Sequence, residues 1–526
     1  MDFLGRERAH NTTSSTAYLL PLFAFGSAFP SRIRFNHGKM IRDYLMLLSW
    51  FCAVQGKIGY FWHITDIHYD PKYGTQGNFG NGCRYTRNTI EGVPGFSVGS
   101  SRLDRKIGGG GGGGGQFGDY NCDTPWALIE SAAQAMETKH DEGIEFVLWT
   151  GDALTRTALT DELRLQYLQN LTDLLSRTFK SQFVFPALGH EEIGVSFQQL
   201  SLLWQQWVPQ EAMDTYLRAG YYTIEQSSEK YLIVFLNTNL WIDLSNNRNA
   251  QRTNGMNVDH LQDPFGQWVW FESVLKKARK EDKAVFIVGH TPPGEDDRES
   301  GAATLNERHN AKYLQVVRQN ADIIRGQFFG HWHSDTFRVI YSDTGNPVSW
   351  IMIAPSITPS APGGPNNPGL RLYKFETGTG QVLDYKQYYL DLMEANKQGS
   401  ANWKVEYALL DYYDLKEITA ISLHDLADRF TQSSDYAFVR YYAANTVHLP
   451  REVETIWGCG GPLNGACALH HYCTVTRLNA DLYEQCYASY AFPLASRGIS
   501  TTYCNLSIVN SLLLLLMFFV NLQQNR

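Results

Sequence analysis

The sequence predicts a layered α/β fold, and three observations predict it. Short β-rich runs alternate with stretches of helical length. Most of those runs stop at a polar residue, often with a glycine directly before it. The composition can fill a large core: 526 residues, 43% hydrophobic, with 13 Trp, 29 Tyr and 28 Phe. That length exceeds one ordinary domain, and the apolar fraction excludes a disordered chain. A formal net charge of −8 argues against a nucleic-acid polymer as partner, which would meet a basic face.

Taken in order, the predicted strands are Ile58–Ile64, Phe146–Trp149, Gln182–Phe185, Tyr231–Leu236, Ala284–Val288 and Gln327–Phe329. The predicted helices between them are Trp126–Lys139, Asp161–Phe179, Phe265–Lys280 and Asn306–Asn320. After about 390 the pattern changes, and Ala401–Leu426 and Ser433–Val447 read as helical and polar-aromatic. Asn306, His309 and Tyr313 share one helical face; helix packing is the first account of them and lining a pocket the second. Gly108–Gly115 is a run of eight glycines. It reads as a flexible loop insert, without the Lys-Ser/Thr that a phosphate-binding loop would carry.

In α/β sheets functional side chains gather past the C-terminal ends of the strands, and there this chain places its unusual polar residues. Thr65-Asp66-Ile67-His68 follows the first strand and Gly151-Asp152 the second. Gly189-His190-Glu191-Glu192 follows the third, Gly289-His290-Thr291 the fifth and Gly330-His331-Trp332-His333 the sixth. Asp-x-His and His-x-His put alternate side chains on one side of an extended segment. Imidazole and carboxylate are the ligands of Zn²⁺, Mn²⁺ and Fe ions. Asp66, His68, Asp152, His290, His331 and His333 are too many for one four-ligand site, and they fit two metals sharing a carboxylate.

The ordered set resembles the calcineurin-like metallophosphoesterases, and within them the acid sphingomyelinase-like phosphodiesterases. The local strings are His63–Pro71, Gly118–Asp123, Gly289–Gly294, Gly326–His333 and Asn367–Arg371, over roughly 58–490. With one cysteine in residues 1–57, we expect no N-terminal saposin domain, so the chain resembles the shorter members, its tail tilting it to the membrane-attached type. The resemblance implies a four-layer β-sandwich flanked by helices over 57–390 and a small helical, disulfide-bearing subdomain over 391–490. It implies two Zn²⁺: Asp66, His68 and His333 on one, His290 and His331 on the other, Asp152 bridging, and a bridging hydroxide attacking phosphorus. Nucleotide phosphodiesters, CDP-choline-like compounds and phospholipid head groups all fit, with soluble phosphodiesters preferred and a monomer expected.

Two positions depart from the family. Its Gly-Asn-His-Asp/Glu string is Gly189-His190-Glu191-Glu192 here. A gapless alignment puts His190 at the Asn ligand and Glu191 at the catalytic His; a one-residue deletion makes His190 the catalytic His. Where the branch has a His four residues after Asp152, Arg156 stands, and Arg cannot transfer a proton near neutral pH. The second functional reading is therefore a catalytically impaired metal- or lipid-binding surface protein.

Both ends read as processing signals. Met40 opens a basic residue, the apolar run Tyr44–Val54 and a small-residue exit at Gly56. We expect 40–56 to be a signal peptide and 1–39 a gene-model extension, the alternatives being a signal anchor or an earlier apolar run, Ala17–Ala28. In 491–526, small residues, a spacer and the apolar tail Ile508–Val520 match a GPI-anchor signal. A short core helix or marginal membrane segment is the alternative. The expected location is secreted or on the extracellular face of the plasma membrane, with lysosomes and endosomes as alternatives. Removing Cys52 and Cys504 with these segments leaves six of eight cysteines. The resemblance pairs them as Cys459–Cys467, Cys473–Cys486 and, across the glycine insert, Cys83–Cys122. His470 and His471 lie inside that cluster and read as surface or packing residues. Asn170 is the expected glycosylation acceptor.

Overall fold

The computed structural model describes residues 57–74, 115–140, 143–157, 159–225, 230–242, 262–299, 303–432, 434–454, 461 and 463–489. The signal-peptide and tail expectations, Gly108–Gly114, Cys52, Cys83, Cys459 and Cys504 lie outside the described residues. Twelve strands are described: β1 Ile58–Ile64, β2 Ile144–Trp149, β3 Phe183–Pro186, β4 Tyr222–Glu225, β5 Tyr231–Phe235, β6 Ala284–Val288, β7 Ile324–Phe329, β8 Thr336–Tyr341, β9 Pro347–Ile353, β10 Gly369–Glu376, β11 Val382–Tyr389 and β12 Lys404–Ala408. They form two mixed sheets, ordered β12-β11-β10-β1-β2-β3 and β4-β5-β6-β7-β9-β8. The strands that carry the candidate ligands, β1-β2-β3 and β6-β7, are parallel within their sheets.

Strand periodicity explains the layering. In β6, Phe286 and Val288 join the core between the sheets, and Val285 and Ile287 join a second core on the other face. The inter-sheet core is aromatic. Phe61 stacks on Phe146 at 4.9 Å and Tyr373 at 4.8 Å in its own sheet, and meets Phe328 of the other sheet edge-on at 5.3 Å. Helices close the outer faces. Helix α1, Trp126–Lys139, buries Leu128, Ala132 and Met136. Helix α2, Asp161–Thr178, buries Leu168, Leu171 and Leu175; Thr160 caps it by accepting the Leu163 N–H, with Asp161 and Glu162 in the first turn. Helices α3, Gln267–Lys280, and α4, Glu307–Gln319, line the second core with Trp268, Phe271, Tyr313 and Val317. Helix, sheet, sheet and helix make the four layers.

The helix at 265–280 starts two residues later than the apolar pattern predicts, because Phe265 (φ 54°) and Gly266 (φ 73°) turn left-handed before it. Lys404–Ala408, expected to be helical, is strand β12, antiparallel to β11. Beyond it lie α5 Ala420–Asp428, α6 Ala437–Asn445 and α7 Gly465–Thr476. Cys473 and Cys486 are disulfide-bonded, joining α7 to the helix at 480–489. Cys122 and Cys467 are also disulfide-bonded. His470 and His471 pack inside: His470 Nδ1 meets Tyr483 Oη at 2.7 Å, and His471 is buried beside Asp297. The 306–313 face turns to structure. Asn306 caps α4, Trp268 Nε1–H donates to buried His309, and Tyr313 Oη–H donates to Gln327. Asn170 is half-buried on α2.

Candidate metal centre

The strand ends named from the sequence converge. Asp66 and His68 follow β1, Asp152 follows β2, His190 follows β3, His290 follows β6, and His331 and His333 follow β7. Five of these seven have left-handed backbones: Asp66 (φ 48°), His68 (46°), Asp152 (54°), His331 (74°) and His333 (64°). Such conformations cost on the order of 1–3 kcal/mol each and cluster where function demands them. Glycine lets the loops meet. A Cβ on Gly151 would collide with the Gly189 backbone, and one on Gly330 with the Thr65 hydroxyl.

The side chains fall into two groups, each with ligand atoms within 4.8 Å of one another: Asp66, His68 and His333; and Asp152, His190, His290 and His331. In the first, His68 Nε2 lies 3.2 Å from His333 Nε2, and Asp66 Oδ1 lies 3.4 Å from His333 Nε2. In the second, Asp152 Oδ2 lies 3.0 Å from His190 Nδ1 and 3.3 Å from His290 Nε2. His290 Nε2 is 3.2 Å from both His190 Nδ1 and His331 Nδ1. The groups touch through Asp152, whose Oδ2 is 3.5 Å from His68 Nε2.

The donor set fits divalent metal. Asp66 Oδ1 and Asp152 Oδ2 are buried without a hydrogen-bond partner, and an acceptor left so is costly unless something cationic meets it. Each imidazole of three spends its other nitrogen on a backbone carbonyl: His68 on Leu154 (3.1 Å), His333 on Ser360 (2.9 Å) and His290 on Thr150 (2.7 Å). That bond sets the tautomer and leaves Nε2 as a lone pair aimed inward. His331 is turned round, with Nε2–H donating to Thr304 Oγ1 at 3.2 Å and Nδ1 facing the group.

Electrostatics agree. Burial would lift Asp152, but His190, His290 and His68 hold its carboxyl well below the usual range. Burial would lower His290, yet Asp152 and Asp66 push it up to about 10. Burial, with His290 and His190, keeps His331 far below its ordinary value, and burial takes His333 down to about 3. Two ionised carboxylates draw positive charge to this spot, and the raised His290 shows how strongly.

The sequence did not reveal what supports these ligands. Glu192, read only as part of a degraded string, accepts the N–H groups of Gly189 (2.7 Å), Asp152 (3.1 Å) and Ala153 (2.7 Å). It ties the β2 loop to the β3 loop, and burial beside Asp152 lifts it to about 7. Glu191 donates its N–H to Asp152 Oδ1, while its side chain points at His190 Nε2 from 3.6 Å. Arg156 is pinned by buried Asp123 (Nη2 to Oδ1, 2.5 Å) and by Ser360 O, the carbonyl that also orients His333. Carbonyl partners have no sequence signal. The Asp123–Arg156 pair had one, an acid in Gly118–Asp123 and a cation replacing a His.

Comparison with known proteins agrees with this geometry. The family model described as calcineurin-like phosphoesterase matches residues 59–335, and that of the acid sphingomyelin phosphodiesterase C-terminal region matches 346–492. The acid sphingomyelinase-like phosphodiesterase 3b of Homo sapiens is 32% identical over 473 residues, covering 86% of this chain and 95% of that protein. A cyclic GMP-AMP phosphodiesterase of Bos taurus is 30% identical over 451 residues, covering 82% of this chain and 91% of its own. A sphingomyelinase phosphodiesterase C of Dictyostelium discoideum is 30% identical over 430 residues, covering 77% and 90%. The chain therefore belongs to the acid sphingomyelinase-like phosphodiesterases, metal-dependent phosphodiester hydrolases of the calcineurin-like phosphoesterase family.

Proposed function

We propose that this chain is a secreted or cell-surface two-zinc phosphodiesterase acting as a monomer on soluble, nucleotide-type phosphodiesters. The observation that carries the reading is Asp152, whose Oδ2 lies within 3.5 Å of ring nitrogens in both groups. Asp66, His68 and His333 would hold one ion, His190, His290 and His331 the other, and Asp152 would join them. Five imidazoles and two carboxylates without a thiolate suit zinc. When bound, such a pair activates water and screens the charge developing on phosphorus.

The chain's own groups do the positioning. His190 stands in the ligand group, which favours the gapless alignment and makes it a ligand before a proton donor. His190 and His331 are partly exposed, the His190 side chain by 13%, while His68, His290 and His333 are buried, so the second group is the side open to substrate. Arg156 places a fixed positive charge near His333 that cannot take part in proton transfer. The preference for nucleotides is supported by the relative named a cyclic GMP-AMP phosphodiesterase. Secretion is supported by the Cys473–Cys486 disulfide and the apolar run after Met40; a GPI anchor is supported by the tail pattern. Release of the full chain from cells by a phosphatidylinositol-specific phospholipase C tests the anchor.

The decisive experiment assays zinc-loaded protein on bis-p-nitrophenyl phosphate, then on a cyclic dinucleotide and on sphingomyelin vesicles without detergent. Turnover of the first two and not the third is the expected result. No turnover of any, with two zinc ions bound, would replace this reading by the impaired surface protein that His190 and Arg156 also permit.

A further inference from the structure

Among the buried side chains by which the C-terminal region reaches the loops of the metal centre, Asn445, the last residue of α6, touches both loops. Its Nδ2 donates to Asp297 Oδ2 and to Asp335 O, and its Oδ1 accepts Arg298 Nε–H at 3.2 Å. Its backbone carbonyl accepts the Asp335 N–H at 3.2 Å and a hydrogen bond from Arg298 Nη2. Asp297 and Arg298 lie on the loop that follows His290, and Asp335 lies two residues after His333. Asp297 Oδ1 accepts Ser334 Oγ–H at 3.0 Å and sits 3.3 Å from Arg338 Nη2. Arg371 and Tyr407 hold the Asp335 carboxylate. Asp297, Ser334, Asp335, Arg338 and Asn445 are all buried.

An amide offers two donors and an acceptor, and here all three are used on two loops that each carry candidate ligands. Burial makes each lost bond costly, because the partner left behind has no water to turn to. We propose that Asn445 is a positioning residue for the metal centre. It locks the His290 loop to the His331–His333 loop, so that the C-terminal region sets the spacing of ligands supplied by the phosphoesterase part. The inference rests on the ligand assignment made above.

The test is Zn²⁺ affinity of the full chain, measured by competition with a chromophoric chelator. Asn445→Ala should bind zinc about tenfold more weakly than wild type, the low end of what removing support behind a ligand costs. Leu426→Ala, a cavity in α5 outside the hydrogen-bond network of Asn445, is the control for stability alone: its melting temperature should fall while zinc affinity stays at the wild-type value. Should Asn445→Ala not fold, Ser334→Ala, which removes only the hydroxyl link to Asp297, is read in the same way and should weaken zinc several-fold. Wild-type zinc affinity in the folded variant, or an equal loss in Leu426→Ala, overturns the inference while leaving the ligand assignment standing. A wild-type chain that binds no zinc overturns both.

Discussion

The two ligand groups are built differently. In the first, Asp66, His68 and His333 are buried, and both imidazoles spend Nδ1 on backbone carbonyls. Asp66 Oδ2 also accepts the His331 N–H and the Thr65 hydroxyl. In the second, His290 is likewise buried and held by a carbonyl, Thr150 O, but His190 and His331 are partly exposed and side chains support them: Glu191 faces His190 and Thr304 holds His331. A ligand fixed by backbone keeps its geometry whatever the surrounding side chains are. A ligand fixed by side chains, as His190 and His331 are, can drift in sequence and can open to substrate. The departure from the family string falls in the second group, at His190.

The largest effect tests whether the groups form one centre. Asp152→Ala should lower kcat/KM on bis-p-nitrophenyl phosphate by about 10³-fold or more, the several kcal/mol that a metal centre contributes. Bound zinc should fall with it. Activity within tenfold of wild type would mean that the groups work apart. Next comes the ranking between groups. A chelator titration should strip the second-group ion first. His190→Ala should cost on the order of 10²-fold in kcat, and His333→Ala more. The reverse ranking would break the view that the buried group is the stronger holder.

Much of this centre was legible in the sequence, for a physical reason. Strands buried on both faces read as unbroken apolar runs, so β1 and β6 and helix α1 carry the predicted bounds. Ligands must leave those strands at their ends, so Asp66, His68, Asp152, His190, His290, His331 and His333 stood out. Strands β8 to β12 were not legible. β10 pairs with distant β1, Ile58 opposite Glu376, and polar residues such as Lys374, Asp384 and Lys386 interrupt the apolar pattern of β10 and β11. Lys404–Ala408 read as helix because an edge strand half in solvent has a mixed pattern, and only β11 beside it decides the state. The supports behind the ligands, Leu154 O, Thr150 O and Ser360 O, belong to the backbone and leave no residue type to read.

Glu192 sharpens the comparison at a smaller scale, because it braces the second group from behind. Glu192→Gln keeps the shape but turns one acceptor oxygen into a donor facing an N–H. With Gly189, Asp152 and Ala153 all donating to the carboxylate, at least one buried donor is left unpaired. The expected cost is about 1–3 kcal/mol, read as a melting temperature lowered by a few degrees and as weaker zinc retention at the second group only. Equal weakening at both groups would show that Asp152 transmits the strain.

The smallest expected effect separates exposure from support. Thr304→Val keeps the volume and removes the hydroxyl that accepts His331 Nε2–H. Without it the ring loses the bond that selects its tautomer, and Nδ1 presents its lone pair in only part of the molecules. A fall in kcat of about two- to tenfold, below the usual cost of losing a metal ligand's outer partner, with an unchanged melting temperature, is the expected outcome. No matching substitution exists for His333, since Ser360 contributes a carbonyl that every residue has. If Thr304→Val behaves as wild type, the metal itself orients His331, and the contrast between the groups reduces to their exposure to substrate.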